Sequence, residues 1–146
     1  MAVHGDRSGR PARRPLTMSD RRRVSSGGPW EATASYSRAI VVGDDCWVAG
    51  TTDAGPDGRS LHPDDMAGQT RAVFDIIQRA LVEAGFAFSD IVRLRMLVTD
   101  MTRKDELMAV QSERFRDIRP AATLVEVSAL IDASLLVEIE VDARRG

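Results

Sequence analysis

The stretch Asp90–Asp100, DIVRLRMLVTD, alternates along its whole length. Val92, Leu94, Met96 and Val98 fall on one side, and Arg93, Arg95, Leu97 and Thr99 fall on the other. A period of two with one wholly apolar side predicts a strand that lies on a core. The other side is the informative one. Two arginines flanking a leucine suit neither a closed core nor a freely solvated face.

Working outward, the residues before this strand predict a helix over 63–84. Met66, Thr70, Val73, Phe74, Ile77, Leu81 and Ala84 recur at three- and four-residue spacing, and Gly85 supplies the stop. After the strand, Thr102 is placed to cap a second helix over 103–116, with Leu107, Met108, Val110, Gln111 and Phe115 inward. Upstream, YSRAIVVGDDCWVAGTT predicts strands at 37–42 and 45–51 around a Gly43-Asp44-Asp45 turn. The stretch DAGPDGRSLHP carries turn chemistry and reads as a loop. Two more strands, 121–127 and 134–143, close the chain. In the last, Leu135, Val137, Ile139 and Val141 oppose Leu136, Glu138, Glu140 and Asp142.

The order β-β-α-β-α-β-β defines an α+β layer. Two helices cannot cover both faces of such a sheet, so both are expected on one face. The open face would then carry Arg93, Arg95, Leu97, Leu124, Glu126, Leu136 and Glu138. Such a mixture is explained by packing against further copies of the chain, with charged groups in clefts between subunits.

Composition sets the outer bounds. With 146 residues, 43% hydrophobic and 29% charged, the chain fits one globular domain. The net charge of -2 hides an asymmetry: residues 1–23 hold seven Arg against two Asp, +5, which leaves -7 for the remainder. Residues 1–23 have no apolar periodicity and are expected to form a disordered basic tail, with the folded domain over 24–146. Met18 is an alternative start. No aromatics interleave the arginines, so neither a nucleic-acid nor a membrane partner is expected. No apolar run approaches the ~18 residues needed to span a bilayer, and no signal-peptide pattern opens the chain; a cytoplasmic location follows as the default. The single cysteine, Cys46, cannot close an internal disulfide and reads as a small core hydrophobe. With His4 and His62 as the only histidines, no metal cluster is expected, and no phosphate loop or dinucleotide fingerprint implies a cofactor.

Five blocks carry a family resemblance: YSRAIVVGDDCWVAGTT, QTRAVFDIIQRALVEAG, DIVRLRMLVTDM, RPAATLVEV and LLVEIEVDA. In this order and spacing they resemble the Rid (YjgF) family over about Tyr36–Ala143, whose founding activity is hydrolysis of reactive enamines and imines. The resemblance implies a chorismate-mutase-like protomer, a homotrimer, and small-metabolite clefts between subunits. It implies no cofactor. Residue by residue, it implies cleft roles for Tyr36 and Gly50, and a water-positioning or water-activating role for Glu138. The family's carboxylate-binding arginine follows a Pro-Ala pair; here Ala122 stands there, followed by Thr123 and, where a cysteine is common, Leu124.

That departure matters because a guanidinium offers paired donors to a carboxylate and alanine offers none. The usual small 2-imino acids are therefore not the expected substrates. Arg95 and Arg119 are two possible replacements. Arg95 is favoured because its alternation points it toward the open face, although an ion pair with Glu126, Glu138 or Glu140 would also explain it. Thr51, after Gly50, can bind a polar ligand group or serve the turn. Two functional classes remain open: a cofactor-free deaminase-like hydrolase, and a non-catalytic trimer that binds a small molecule or partner protein.

Overall fold

The computed structural model describes residues 20–146. Most of the expected basic tail, residues 1–19, lies outside the described residues. Its last three residues do not belong to a tail. Arg21–Val24 form an edge strand, β1. It pairs antiparallel with β2, Ala39–Val42, in the register Arg21↔Val42 to Val24↔Ala39. The composition hid this strand because only Val24 is buried. Arg22 is the pin: its guanidinium donates to the carbonyls of Glu83 (3.1 Å) and Ala84. These carbonyls end a helix, where a cation is favoured.

A short helix absent from the sequence reading follows, α1, Pro29–Thr33, and then β2 and β3, Asp45–Thr51. The long helix α2 runs Met66–Glu83, three residues shorter at its start than expected. Asp65 sets that start by accepting from the Gly68 N–H at 2.8 Å, which consumes an otherwise unpaired donor. Strand β4 is Ile91–Val98 and helix α3 is Lys104–Phe115. The cap before α3 is Asp100, not Thr102: its carboxylate accepts from the Thr102 N–H at 2.9 Å and opens a single tight turn ahead of the helix. Strands β5, Ala121–Glu126, and β6, Val137–Arg144, complete the chain.

The six strands form one sheet in the order β1-β2-β3-β6-β4-β5, antiparallel except for the parallel β4–β5 pair. Both long helices lie on one face, as the α+β reading requires. Val73, Phe74, Ile77 and Leu81 of α2 and Leu107 and Val110 of α3 are buried with Leu94, Met96 and Val98 of β4 and Val137, Ile139 and Val141 of β6. Phe74 stands edge-on to Phe115, ring centroids 5.1 Å apart.

Two alternations differ from expectation. The pairing of β4 with β6 shifts between Ile91 and Arg93, so Ile91 enters the core and Val92 is 49% exposed. A bulge adds one residue to the strand and reverses the side on which the preceding residues fall. In β5, Ala122 is in register with Leu94, and Leu124 with Met96. Cross-strand partners share a face, and Leu124 packs against the core. Leu124 and Glu126 therefore belong to the helix side, and Thr123 and Val125 take the open-face positions assigned to them. Period-two alternation groups the residues of a strand without saying which group faces the core, and both groups in AATLVE are mixed.

Candidate functional site

A cavity of about 550 Å³ opens where β2, β3 and β6 meet α1. Glu138 on β6 and Gly50 on β3 form one wall. A Cβ at position 50 would lie 2.0 Å from Glu138 Oε1, so only glycine lets the carboxyl sit there. Burial pushes Glu138 above its ordinary pKa of 4.5, Glu140 adds to the shift, and Arg38 opposes it. A carboxyl in this setting holds its proton more readily than a solvated one.

The opposite part of the wall is built by Tyr36, Arg38 and Thr51. Tyr36 and Arg38 lie two residues apart just ahead of β2, and both line the cavity. Arg38 is only 9% exposed. Its Nη1 donates to Gly50 O at 3.0 Å and to Thr51 Oγ1 at 2.8 Å, and its Nη2 donates to the Tyr36 hydroxyl oxygen at 3.2 Å. Thr51 passes its own hydrogen to Ala49 O at 2.8 Å. Trp30 of α1, with Ile76 and Ile131, supplies apolar lining.

The structure thus gathers Tyr36, Gly50, Thr51 and Glu138 around one cavity. Arg95 is not among its lining residues. The β4–β6 register sets Arg95 directly opposite Glu140, and Nη1 bonds Glu140 Oε1 at 2.9 Å while Nη2 lies 3.6 Å from Asp142. That ion pair sits in a separate shallow depression beside Trp47. Arg119 is elsewhere again, in a left-handed turn (φ 52°) that ends α3, its N–H donating to Phe115 O at 2.9 Å. Ala122 and Leu124 lie on the helix side of the sheet, and Glu138 lies on the open side. Thr123 shares that open face, but on β5, with β4 between it and β6. Within one protomer, none of the three lines the Glu138 cavity.

Arg38 and Trp30 are among the lining residues that the sequence reading missed. Arg38 was legible as a neighbour of Tyr36 at a spacing of two. Trp30 was not, because the five-residue helix that carries it has too few turns to show a period.

The loop after Gly50 is held by a buried carboxylate. Asp53 Oδ2 accepts from Ser60 Oγ (2.8 Å) and His62 N (3.0 Å), and lies 3.0 Å from His62 Nδ1. Cys46 is fully buried, and burial pushes its thiol up to about 11, which makes it inert. Among the described residues, no three or more His, Cys, Asp or Glu side chains are placed to hold a metal ion. No helix among them is long and apolar enough to cross a membrane.

This α+β arrangement of one sheet with both long helices on one face is the fold of the YjgF-type small proteins. The chain belongs to that family: the family model described as "Endoribonuclease L-PSP" matches residues 29–145. The solved structure of Rv2704 from Mycobacterium tuberculosis, a member of the YjgF/YER057c/UK114 family, is 45% identical with a TM-score of 0.78; the match covers 86% of this chain and 99% of that one. The uncharacterized protein SCO2049 of Streptomyces coelicolor is 35% identical over 90% of this chain and 97% of its own length. A RutC family protein of Sulfurisphaera tokodaii is 35% identical over 76% and 88%. The Rid resemblance read from the five sequence blocks is borne out.

Proposed function

We propose that the protein is a cofactor-free hydrolase of the deaminase type, acting on an imine, enamine or related small metabolite, and working as a homotrimer with clefts between subunits. The observation that carries this reading is Glu138, half-buried against Gly50, in a cavity whose only other charged lining residue among the described residues is Arg38. The protonated carboxyl would give its proton to the imine nitrogen. As carboxylate it would then take a proton from the attacking water as the new C–O bond forms. Glu138 would next return that proton to the carbinolamine nitrogen, and would take the hydroxyl proton as C=O forms and the C–N bond breaks, releasing ammonia and leaving a carbonyl product.

The sheet geometry supports a composite cleft. Ala122 and Glu138 face opposite sides of the same sheet, so they can line one site only if β5 of one protomer lies against the cavity of the next. The exposed Trp47 and Val125 on the open face favour such packing. The alanine at 122 removes the carboxylate clamp of the family, which argues against the usual small 2-imino acids. It also supports the second reading, a trimer that binds a small molecule or partner without turnover.

The test is ammonia or keto-acid release from imines generated in situ by an amino-acid oxidase, for the wild type, Glu138→Ala and Ala122→Arg. Turnover lost in Glu138→Ala supports the hydrolase. Absence of wild-type turnover across a broad panel selects the binding trimer, and activity appearing only in Ala122→Arg locates the loss at that one residue.

A further inference from the structure

The arginine carries more donors than the fold uses. A guanidinium has five N–H groups. In Arg38, two on Nη1 and one on Nη2 reach Gly50 O, Thr51 Oγ1 and the Tyr36 oxygen, all neutral acceptors. Nε is buried with no hydrogen-bond partner, and the second Nη2 hydrogen has none among the described residues. The carboxylate nearest to this guanidinium is Glu31, 3.6 Å from Nε. Glu31 spends its oxygens elsewhere, on Ser25 Oγ at 2.6 Å and on the N–H and hydroxyl of Ser26. Burial works to raise the Glu31 pKa, yet the Ser25 and Ser26 hydrogen bonds outweigh it and keep the group ionised. The cationic charge on Arg38 is thus balanced by Glu31 and Glu138 through space only, with no carboxylate in hydrogen-bond contact among the described residues.

Tyr36 completes the argument. Its oxygen already accepts from Arg38, and its ring lies 5.6 Å from the guanidinium carbon. The hydroxyl hydrogen has no acceptor among the described residues. Tyr36 is 37% exposed and lines the cavity, so that hydrogen is available to a ligand. The wall therefore presents a phenol donor and a guanidinium donor side by side, on a buried positive charge.

We propose that Arg38 and Tyr36 form an anion-binding site in the Glu138 cavity, and that its ligand is a small organic acid whose carboxylate takes the Tyr36 O–H and the free Nη2 N–H. The site rests on the reading of this cavity as the ligand site, and not on the hydrolase reading. It places the charge clamp within one protomer, on the Glu138 side, in place of the arginine absent at position 122. Trp30 and Ile76 would hold the apolar body of the acid.

The experiment is equilibrium binding of phenylacetate and its neutral isostere phenylacetamide, followed by calorimetry and by tryptophan fluorescence, to which Trp30 in the cavity and Trp47 outside it both contribute. The wild type should bind the acid at least about tenfold more tightly than the amide, the size expected for a charge-assisted pair. Arg38→Gln should bring the two within about twofold. Tyr36→Phe, which keeps the ring, should weaken the acid about fivefold or more. No saturable binding of phenylacetate, equal affinity for acid and amide, or an intact preference in folded Arg38→Gln would each overturn the site. Should Arg38→Gln not fold, Tyr36→Phe decides, and unchanged acid affinity in that variant refutes the proposal. Imine turnover is measured separately: an acid preference without turnover supports the site and removes the hydrolase reading alone.

Discussion

Gly50→Ala is the most direct probe of the wall between β3 and β6. The added methyl would lie 2.0 Å from Glu138 Oε1 and 3.0 Å from its Cδ, where ordinary contact begins at 3.4 Å. The carboxyl must therefore retreat by about 3.4 − 2.0 = 1.4 Å. Glu138 is a flexible side chain, so the stability cost should sit near the low end of overpacking, about 1 kcal/mol. A catalytic group displaced by about 1 Å costs on the order of 10²-fold in rate, so any turnover that depends on Glu138 should fall far more than stability does. A double-mutant cycle in urea isolates the cause. With Glu138→Ala in place the clash is gone, and alanine at position 50 should be neutral or stabilising by up to about 1 kcal/mol, since it narrows the unfolded ensemble. Equal destabilisation by Gly50→Ala in both backgrounds would refute the steric reasoning and place the need for glycine in the backbone instead.

The remaining predictions concern charge and core. Because Glu138 has its pKa raised by burial, the native state binds the proton more tightly than the unfolded chain does. This contribution is fully present below about 4.5, the ordinary glutamate value, and is lost as pH rises through the native value. Urea midpoints measured from pH 4 to 8 should thus show the wild type losing stability relative to Glu138→Gln as pH rises; a flat difference would show that Glu138 is solvated. Phe74 is fully buried between the helices and the sheet, so Phe74→Ala should cost about 3–5 kcal/mol by equilibrium unfolding. A loss below about 1 kcal/mol would mean that the aromatic cluster with Phe115 is not packed as described.

Much of the fold was legible because its signals are local. The α2 stripe from Met66 to Leu81 repeats often enough to be unambiguous, and β6 alternates cleanly from Val137 to Val141. Where reading failed, the deciding interaction lay far off in sequence. Arg21–Arg23 became a strand because β2 had a free edge and Arg22 found the carbonyl end of α2, some 60 residues away. Leu124 changed sides because register, not alternation, selects the face. Arg95 lost its place in the cavity because Glu140 stands directly across from it.

The candidate site shows the same division. Residue type and order, on their own, determined an α+β layer with both helices on one face, the family, a glutamate in the last strand, and an alanine where the resemblance implies a cation. The tertiary structure alone decided which cation lines the cavity. Arg38 reads as one charged residue entering an apolar strand. It becomes the cavity's guanidinium only when β3 brings Gly50 and Thr51 beside it and β6 brings Glu138 across. Pairing between strands is a non-local contact, and a single strand carries no record of its neighbour.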